Sequence, residues 1–234
     1  ITFLQERDPT RLPWKDLAVD VVLESTGIFA SYEKSKVHLD AGAKRVVVSA
    51  PVKDEPPEGI VGATVLIGVN EEKLKTCDIS SNASCTTNAG SPLIQILNES
   101  IGIQKALLNT VHGYTATQSL VDAPSSKDFR KGRAAAVNII PSTTGAAIAT
   151  TKAIPALEGK FDGIAMRVPV ITGSLVDITF LAKRTTSPEE VNDILRTASG
   201  QERWKKVFST VDDPIVSSDI VGSHFASIAD LSFT

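Results

Sequence analysis

Val19-Asp20-Val21-Val22-Leu23-Glu24 and Lys44-Arg45-Val46-Val47-Val48-Ser49 are two short β-branched runs, and Ser31 through Ala41 lies between them with apolar side chains at helical spacing. The runs read as strands, the first over Val19–Glu24 and the second over Lys44–Ser49, and the segment between them as an amphipathic helix. Strands apolar along their whole length are buried on both faces, and a helix connecting two of them permits a parallel crossover rather than a hairpin. Ala63–Val69 reads as a further strand of the same sheet. Right-handed crossovers bring the strand ends to a common edge, where open sheets bind ligands. Thr26-Gly27 and Ser49-Ala50-Pro51 stand at such ends, either as ligand contacts or as ordinary strand-to-helix turns.

The pattern changes after Cys85. Ile103–Val111, Ile164–Val170 and Leu175–Lys183 read as longer strands. In the last, Val176, Ile178 and Phe180 alternate with Asp177 and Thr179, as in a sheet with one buried face. Ser187-Pro188-Glu189-Glu190 is a capping box with proline at the first helical position. Val191, Ile194, Leu195 and Ala198 follow on one helical face, and Gly200 closes the segment. The expected fold class is therefore α/β: a partial parallel sheet over residues 1–84, then an α+β domain over 85–234 around a mostly antiparallel or mixed sheet.

Composition narrows the function. The chain has 234 residues, 42% hydrophobic and 22% charged, with a net charge of -3, so nothing points to nucleic acid. No run of about 20 apolar residues suggests a membrane span, and no signal peptide is visible. Two cysteines and three scattered histidines provide neither a disulfide framework nor a zinc site, and a cytoplasmic setting is the simplest expectation. The start at Ile1 and the end at Thr234 read as those of a fragment.

Asn82-Ala83-Ser84-Cys85-Thr86-Thr87-Asn88 carries the chemistry. Leu93, Ile94, Ile96 and Leu97 follow at near-helical spacing, so Cys85 is expected in the first turn of a helix. Unpaired amides and the positive end of the helix dipole stabilise a thiolate there, and can lower a thiol from about 8.5 to roughly 3.5–7.5. Two readings are open: an activated nucleophile, or a small buried hydrophobe. Cys77, after the polar stretch Glu71–Thr76, reads as structural. His112 ends the run Ala106–Val111, where a strand delivers side chains into a cleft, and is either a base for the thiol or a structural imidazole.

Several motifs, in order, resemble glyceraldehyde-3-phosphate dehydrogenase: Ser84-Cys85-Thr86-Thr87-Asn88, His112-Gly113-Tyr114-Thr115-Ala116-Thr117-Gln118, Asp128-Phe129-Arg130-Lys131-Gly132-Arg133-Ala134-Ala135-Ala136, Ile139-Ile140-Pro141-Ser142-Thr143-Thr144-Gly145-Ala146-Ala147, Arg167-Val168-Pro169 and Asp219-Ile220-Val221-Gly222-Ser223. The resemblance runs from about Glu6 to the last residue. It implies a Rossmann-like, partial NAD-binding domain over 1–84 and a catalytic domain over 85–234, with the family's N-terminal phosphate-binding turn and closing segment outside this chain. Ala89, Ile148 and Gly113 replace a second cysteine, a lysine and a serine frequent in the family.

The resemblance implies oxidation of D-glyceraldehyde 3-phosphate to 1,3-bisphosphoglycerate with NAD and inorganic phosphate, in glycolysis. It casts Cys85 as nucleophile and His112 as base. Thr115 and Arg167 would take the substrate phosphate, with Arg130 also contacting substrate. Ser84, Thr86, Thr144 and Gly145 would serve the attacking phosphate, and Arg7, Thr26, Gly27 and Ser49 the cofactor. Thr143-Thr144-Gly145 alone is a common turn, and Arg130 alone a solvated charge. Arg167 inside an apolar strand would be costly if unpaired. A homotetramer is also implied, with the loop 114–137 near a neighbour's cofactor. The alternatives are a sister enzyme that oxidises erythrose 4-phosphate and releases its product by hydrolysis, and a polypeptide that is non-catalytic as given.

Overall fold

The computed structural model describes residues 1–126 and 128–234, and tertiary contacts divide it into Ile1–Ser84 and Cys85–Thr234. The first unit holds strands β1 (Val21–Glu24), β2 (Arg45–Val48), β3 (Gly62–Thr64) and β4 (Ile79–Ser81), with helix α1 (Tyr32–Asp40). The strand order is β1-β2-β4-β3 and every pair is parallel. Helix α1 starts where Ser31 accepts a hydrogen bond from the Lys34 amide, and ends at Ala41. Tyr32, Val46, Val48, Val52 and Ile79 form the buried core.

The third strand is shorter than its apolar pattern predicts. It stops at Thr64 because Asn70 intercepts the chain: its Oδ1 accepts from the Leu66 amide at 2.8 Å and its Nδ2 donates to the Thr64 carbonyl at 2.9 Å. Gly68, at φ +80, completes the turn. Strand β4 was masked in the sequence by its serines, which are buried by the neighbouring elements rather than by their own polarity.

At one edge of this sheet lies a buried polar chain. The Trp14 indole N–H donates to His38 Nδ1 at 3.2 Å, and His38 Nε2 faces Glu24 Oε2 at 2.9 Å. An indole only donates, so the imidazole proton sits on Nε2 and is shared with the carboxylate. The other oxygen, Oε1, accepts from the Thr26 amide at 2.7 Å and from its hydroxyl. Burial pushes the Glu24 carboxyl up, but the Thr26 and His38 hydrogen bonds outweigh it and the net shift is downward.

The second unit holds α2 (Cys85–Ser100), β5 (Ile103–Gly113), β6 (Ile140–Thr143), α3 (Ala146–Ala153), β7 (Phe161–Val168), β8 (Ser174–Ala182), α4 (Pro188–Ser199), β9 (Phe208–Val211) and β10 (Ser227–Asp230). One mixed sheet runs β6-β7-β5-β8, with β5 parallel to β7 and the other pairs antiparallel; β9 and β10 form a parallel pair. Helix α4 is capped by Ser187 and ends at Gly200, as its box predicts. Strand β7 begins at Phe161, three residues before the apolar run that predicts it, because Phe161 pairs with Ala106 on β5.

Helix α2 crosses the sheet closely at Gly90, where a Cβ would stand 3.2 Å from Leu108 Cδ1. It covers the face carrying Ala106, Leu108, Val176 and Ile178, and ties to α3 through the buried hydroxyls of Ser91 and Thr150, 3.0 Å apart. The opposite face exposes Leu107, Ile164, Leu175 and Leu181, each 61–63% accessible. Among the described residues, no helix is long and apolar enough to cross a membrane.

Candidate active site

Cys85 is the first residue of α2, and Thr86 follows it in the same turn. His112 lies in the last turn of pleat of β5, on the face α2 covers. The parallel register sets His112 opposite Arg167 on β7, so the two side chains leave the sheet as neighbours. The antiparallel partner on β8 is Ser174, which brings no charge. Sheet register and helix placement thus assemble three distant residues at one point.

Cys85 Sγ lies 3.2 Å from His112 Nε2. That hydrogen bond holds the thiol down at about 7, assisted by the Thr86 amide and hydroxyl and opposed by the loss of water around the sulfur. The thiol remains accessible, whereas the second cysteine, Cys77, is buried and its thiol is pushed up by that burial. His112 is raised, chiefly by its bond to Cys85; burial and the Arg167 charge act against this, and the Gly113 carbonyl supports it.

On its other side the imidazole has two neighbours. Arg167 Nη1 is 2.6 Å from Nδ1, and the Gly113 carbonyl oxygen is 2.7 Å from the same atom. Arg167 Nη1 also donates to that carbonyl at 3.1 Å. Gly113 must lack a side chain here, since a Cβ would stand 2.6 Å from the Val170 carbonyl oxygen. Arg167 is half-buried and its guanidinium is lowered by that burial, with the nearby Cys85 acting in the other direction.

Thr115, Thr144, Gly145 and Arg130 stand on loops and turns of the second unit. Thr115 follows β5; its amide donates to Gln118 Oε1 at 3.3 Å and its hydroxyl meets that of Thr117 at 3.0 Å. Thr144 follows β6, its hydroxyl accepting from the Ala146 amide at 3.1 Å, and Gly145 caps α3 with open space where a side chain would be. Thr143 pairs with Ile164, three residues along β7 from Arg167, which separates the Thr144–Gly145 turn from Arg167 by roughly 10 Å. Arg130 sits on the exposed 3-10 turn Phe129–Gly132, begun by Asp128. In the first unit, Thr26 and Ser49 follow the ends of β1 and β2, Gly27 has φ +75 and open space at its Cβ position, Arg7 is exposed, and Ser84 is the unit's half-buried last residue.

Glyceraldehyde 3-phosphate dehydrogenase, C-terminal domain, is the family whose pattern matches residues 84–234, the span that contains Cys85, His112 and Arg167. This chain belongs to the glyceraldehyde-3-phosphate dehydrogenase family. It is 45% identical over 231 residues to glyceraldehyde-3-phosphate dehydrogenase B of Aspergillus oryzae, covering 99% of the chain and 67% of that relative. It is 46% identical over 232 residues to glyceraldehyde-3-phosphate dehydrogenase 1 of Kluyveromyces lactis, covering 99% and 68%. With glyceraldehyde-3-phosphate dehydrogenase of Mycobacterium avium the figures are 48% over 227 residues, 97% and 65%. The chain therefore spans about two thirds of the length of these relatives.

Gln118 is a residue whose part the sequence did not disclose. It is buried, its Oε1 orients the Thr115 amide, and its Nε2 has no hydrogen-bond partner among the described residues. Its place within a polar stretch that directly follows a strand was the available signal. No cluster of three or more His, Cys, Asp or Glu able to hold a metal ion occurs among the described residues.

Proposed function

We propose that this protein carries out the phosphorylating oxidation of D-glyceraldehyde 3-phosphate to 1,3-bisphosphoglycerate, with NAD as cofactor, in glycolysis. The observation that carries this reading is the 3.2 Å contact between an acidified, accessible Cys85 and His112. The thiolate attacks the aldehyde carbon, forming a C–S bond and a hemithioacetal whose oxygen takes a proton from Nε2. Nε2 takes that proton back as the hemithioacetal is oxidised to the thioester. Inorganic phosphate then attacks the thioester carbon and the Cys85 thiolate leaves.

Two anions must be held, and the residues suit them. Arg167 and Thr115 take the phosphate of the substrate, and Arg130 assists. Ser84, Thr86, Thr144 and Gly145 offer hydroxyl and amide donors to the attacking phosphate. The separation of Arg167 from the Thr144–Gly145 turn supports two sites rather than one.

Thr26, Gly27, Ser49 and Arg7 hold the cofactor in this reading. Their fit rests on the position of Thr26 and Ser49 just past the ends of parallel strands and on the open approach at Gly27, features suited to a nucleotide, with Thr26 itself positioned by its bonds to Glu24. NAD, when bound, supplies the hydride acceptor. The protein works as a homotetramer, a reading supported by the exposed apolar side chains on the outer face of the mixed sheet.

The test is NADH formation from glyceraldehyde 3-phosphate with and without inorganic phosphate. Phosphate-dependent reduction that disappears in Cys85→Ser and persists in Cys77→Ser is expected. Turnover indifferent to phosphate would instead indicate hydrolytic release of the acyl group.

A further inference from the structure

Strand β5 ends at Gly113, and Tyr114 makes the next link, its amide donating to the Val170 carbonyl of the β7–β8 connection at 3.2 Å. Thr115 then opens a turn that Gln118 closes twice. The Gln118 amide donates to the Thr115 carbonyl at 2.9 Å, and the Thr115 amide donates to Gln118 Oε1 at 3.3 Å. Both backbone polar groups of Thr115 are therefore held by one residue. Its hydroxyl is left to face outward, 3.0 Å from that of Thr117. Beyond the turn, Ser119 fixes the far limb: its amide donates to the Lys131 carbonyl at 3.0 Å, and its carbonyl accepts from the Ala135 amide at 2.9 Å.

This grip is made at the expense of stability. Gln118 is buried, yet its Nε2 has no hydrogen-bond partner among the described residues. A donor taken out of water with nothing in exchange is unfavourable, and an apolar side chain of the same shape avoids that penalty. Packing alone would be better served by methionine, which has similar length and no donor to satisfy. What the amide supplies and methionine does not is the carbonyl acceptor aimed at Thr115. Fixing a loop residue in advance favours a ligand, because the ordering that binding otherwise requires is subtracted from affinity.

We propose that Gln118 is a positioning residue for the substrate phosphate: by holding both backbone groups of Thr115, it presents the threonine hydroxyl to a phosphate monoester already oriented. Gln118 acts through Thr115 and takes no part in bond making or proton transfer. A group remote from the reacting carbon binds ground state and transition state alike, so its effect falls on affinity and KM rather than on kcat. An aldehyde lacking the phosphate draws no benefit from the clamp. The inference rests on the reading of Thr115 as a ligand of the substrate phosphate.

The test is calorimetric titration with glycerol 3-phosphate, which carries the phosphate but no aldehyde, alongside thermal melts. In Gln118→Met the Kd should rise about tenfold, the loss of one orienting hydrogen bond, while the melting temperature equals or exceeds that of wild type. In turnover, KM for glyceraldehyde 3-phosphate should rise by the same factor, with kcat and the KM for NAD unchanged. Gln118→Leu takes the place of the methionine variant if that one does not fold. An unchanged Kd, a weakened Kd accompanied by a lower melting temperature, or failure of both variants to fold overturns the clamp, since a merely structural glutamine predicts the last two. Thr115→Val separates this from the underlying reading. No binding by wild type, or an unaltered Kd in Thr115→Val, defeats Thr115 as a phosphate ligand, whereas a weakened Kd there with an unaltered one in Gln118→Met defeats only the clamp.

Discussion

A thiol's reactivity follows the fraction ionised, so the environment of Cys85 has a direct signature. With its acidity set at about 7 by His112, the alkylation rate should rise through a midpoint near that pH. In His112→Asn the midpoint should return toward the ordinary value of about 8.5, and the rate at pH 7 should fall roughly 15-fold. Thiolate is the reactive form, so the loss is greatest below the new midpoint and vanishes well above it. Measured against pH with iodoacetamide, equal midpoints in the two proteins would refute the coupling. Cys77 should stay slow throughout, since burial both shields it and raises it. Cys85 and His112 were legible because each follows a local rule: a cysteine ahead of a helical repeat, and a histidine at a strand end. The contact between Arg167 and His112 was not. It arises from a register that pairs residues 55 positions apart, and no local pattern encodes register between distant strands.

At the level of elements, the end of β1 is governed by the Trp14–His38–Glu24 chain, which fixes both polar groups of Thr26. A buried carboxylate tied in this way contributes on the order of 2–3 kcal/mol through its charged hydrogen bonds. Glu24→Gln should lower stability by about that amount at neutral pH. Glu24's acidity in the folded state lies below its unfolded value. Its contribution is therefore complete above the unfolded pKa and disappears as pH falls through the folded one. Thermal melts across that range should show wild type and variant converging in acid, and a constant gap would show that the charge is irrelevant. Strands and helices with an apolar period or a capping box, such as α1, β5, β8 and α4, were readable from the chain. Strands β4, β6, β9 and β10 were not, because each is three or four residues long and its burial is imposed by its neighbours.

For the molecule as a whole, the outer face of the mixed sheet has the most to lose in water. Leu107, Ile164, Leu175 and Leu181 lie on three adjacent strands with no covering layer among the described residues of the second unit. If copies of the chain meet there, Leu175→Asp together with Ile164→Asp should reduce the mass seen by light scattering. An unchanged mass would move the interface elsewhere. The Cys85–His112 contact closes a separation of 27 residues and the His112–Arg167 contact one of 55. Contacts that close longer loops carry a larger entropic barrier, so pairing of β7 with β5 is expected to come late in refolding. Burst alkylation during refolding then gives a clock: the thiol turns reactive at neutral pH once α2 meets β5, and phosphate sensitivity follows only when β7 has docked. A single sulfur atom can time two successive steps of its own protein's assembly.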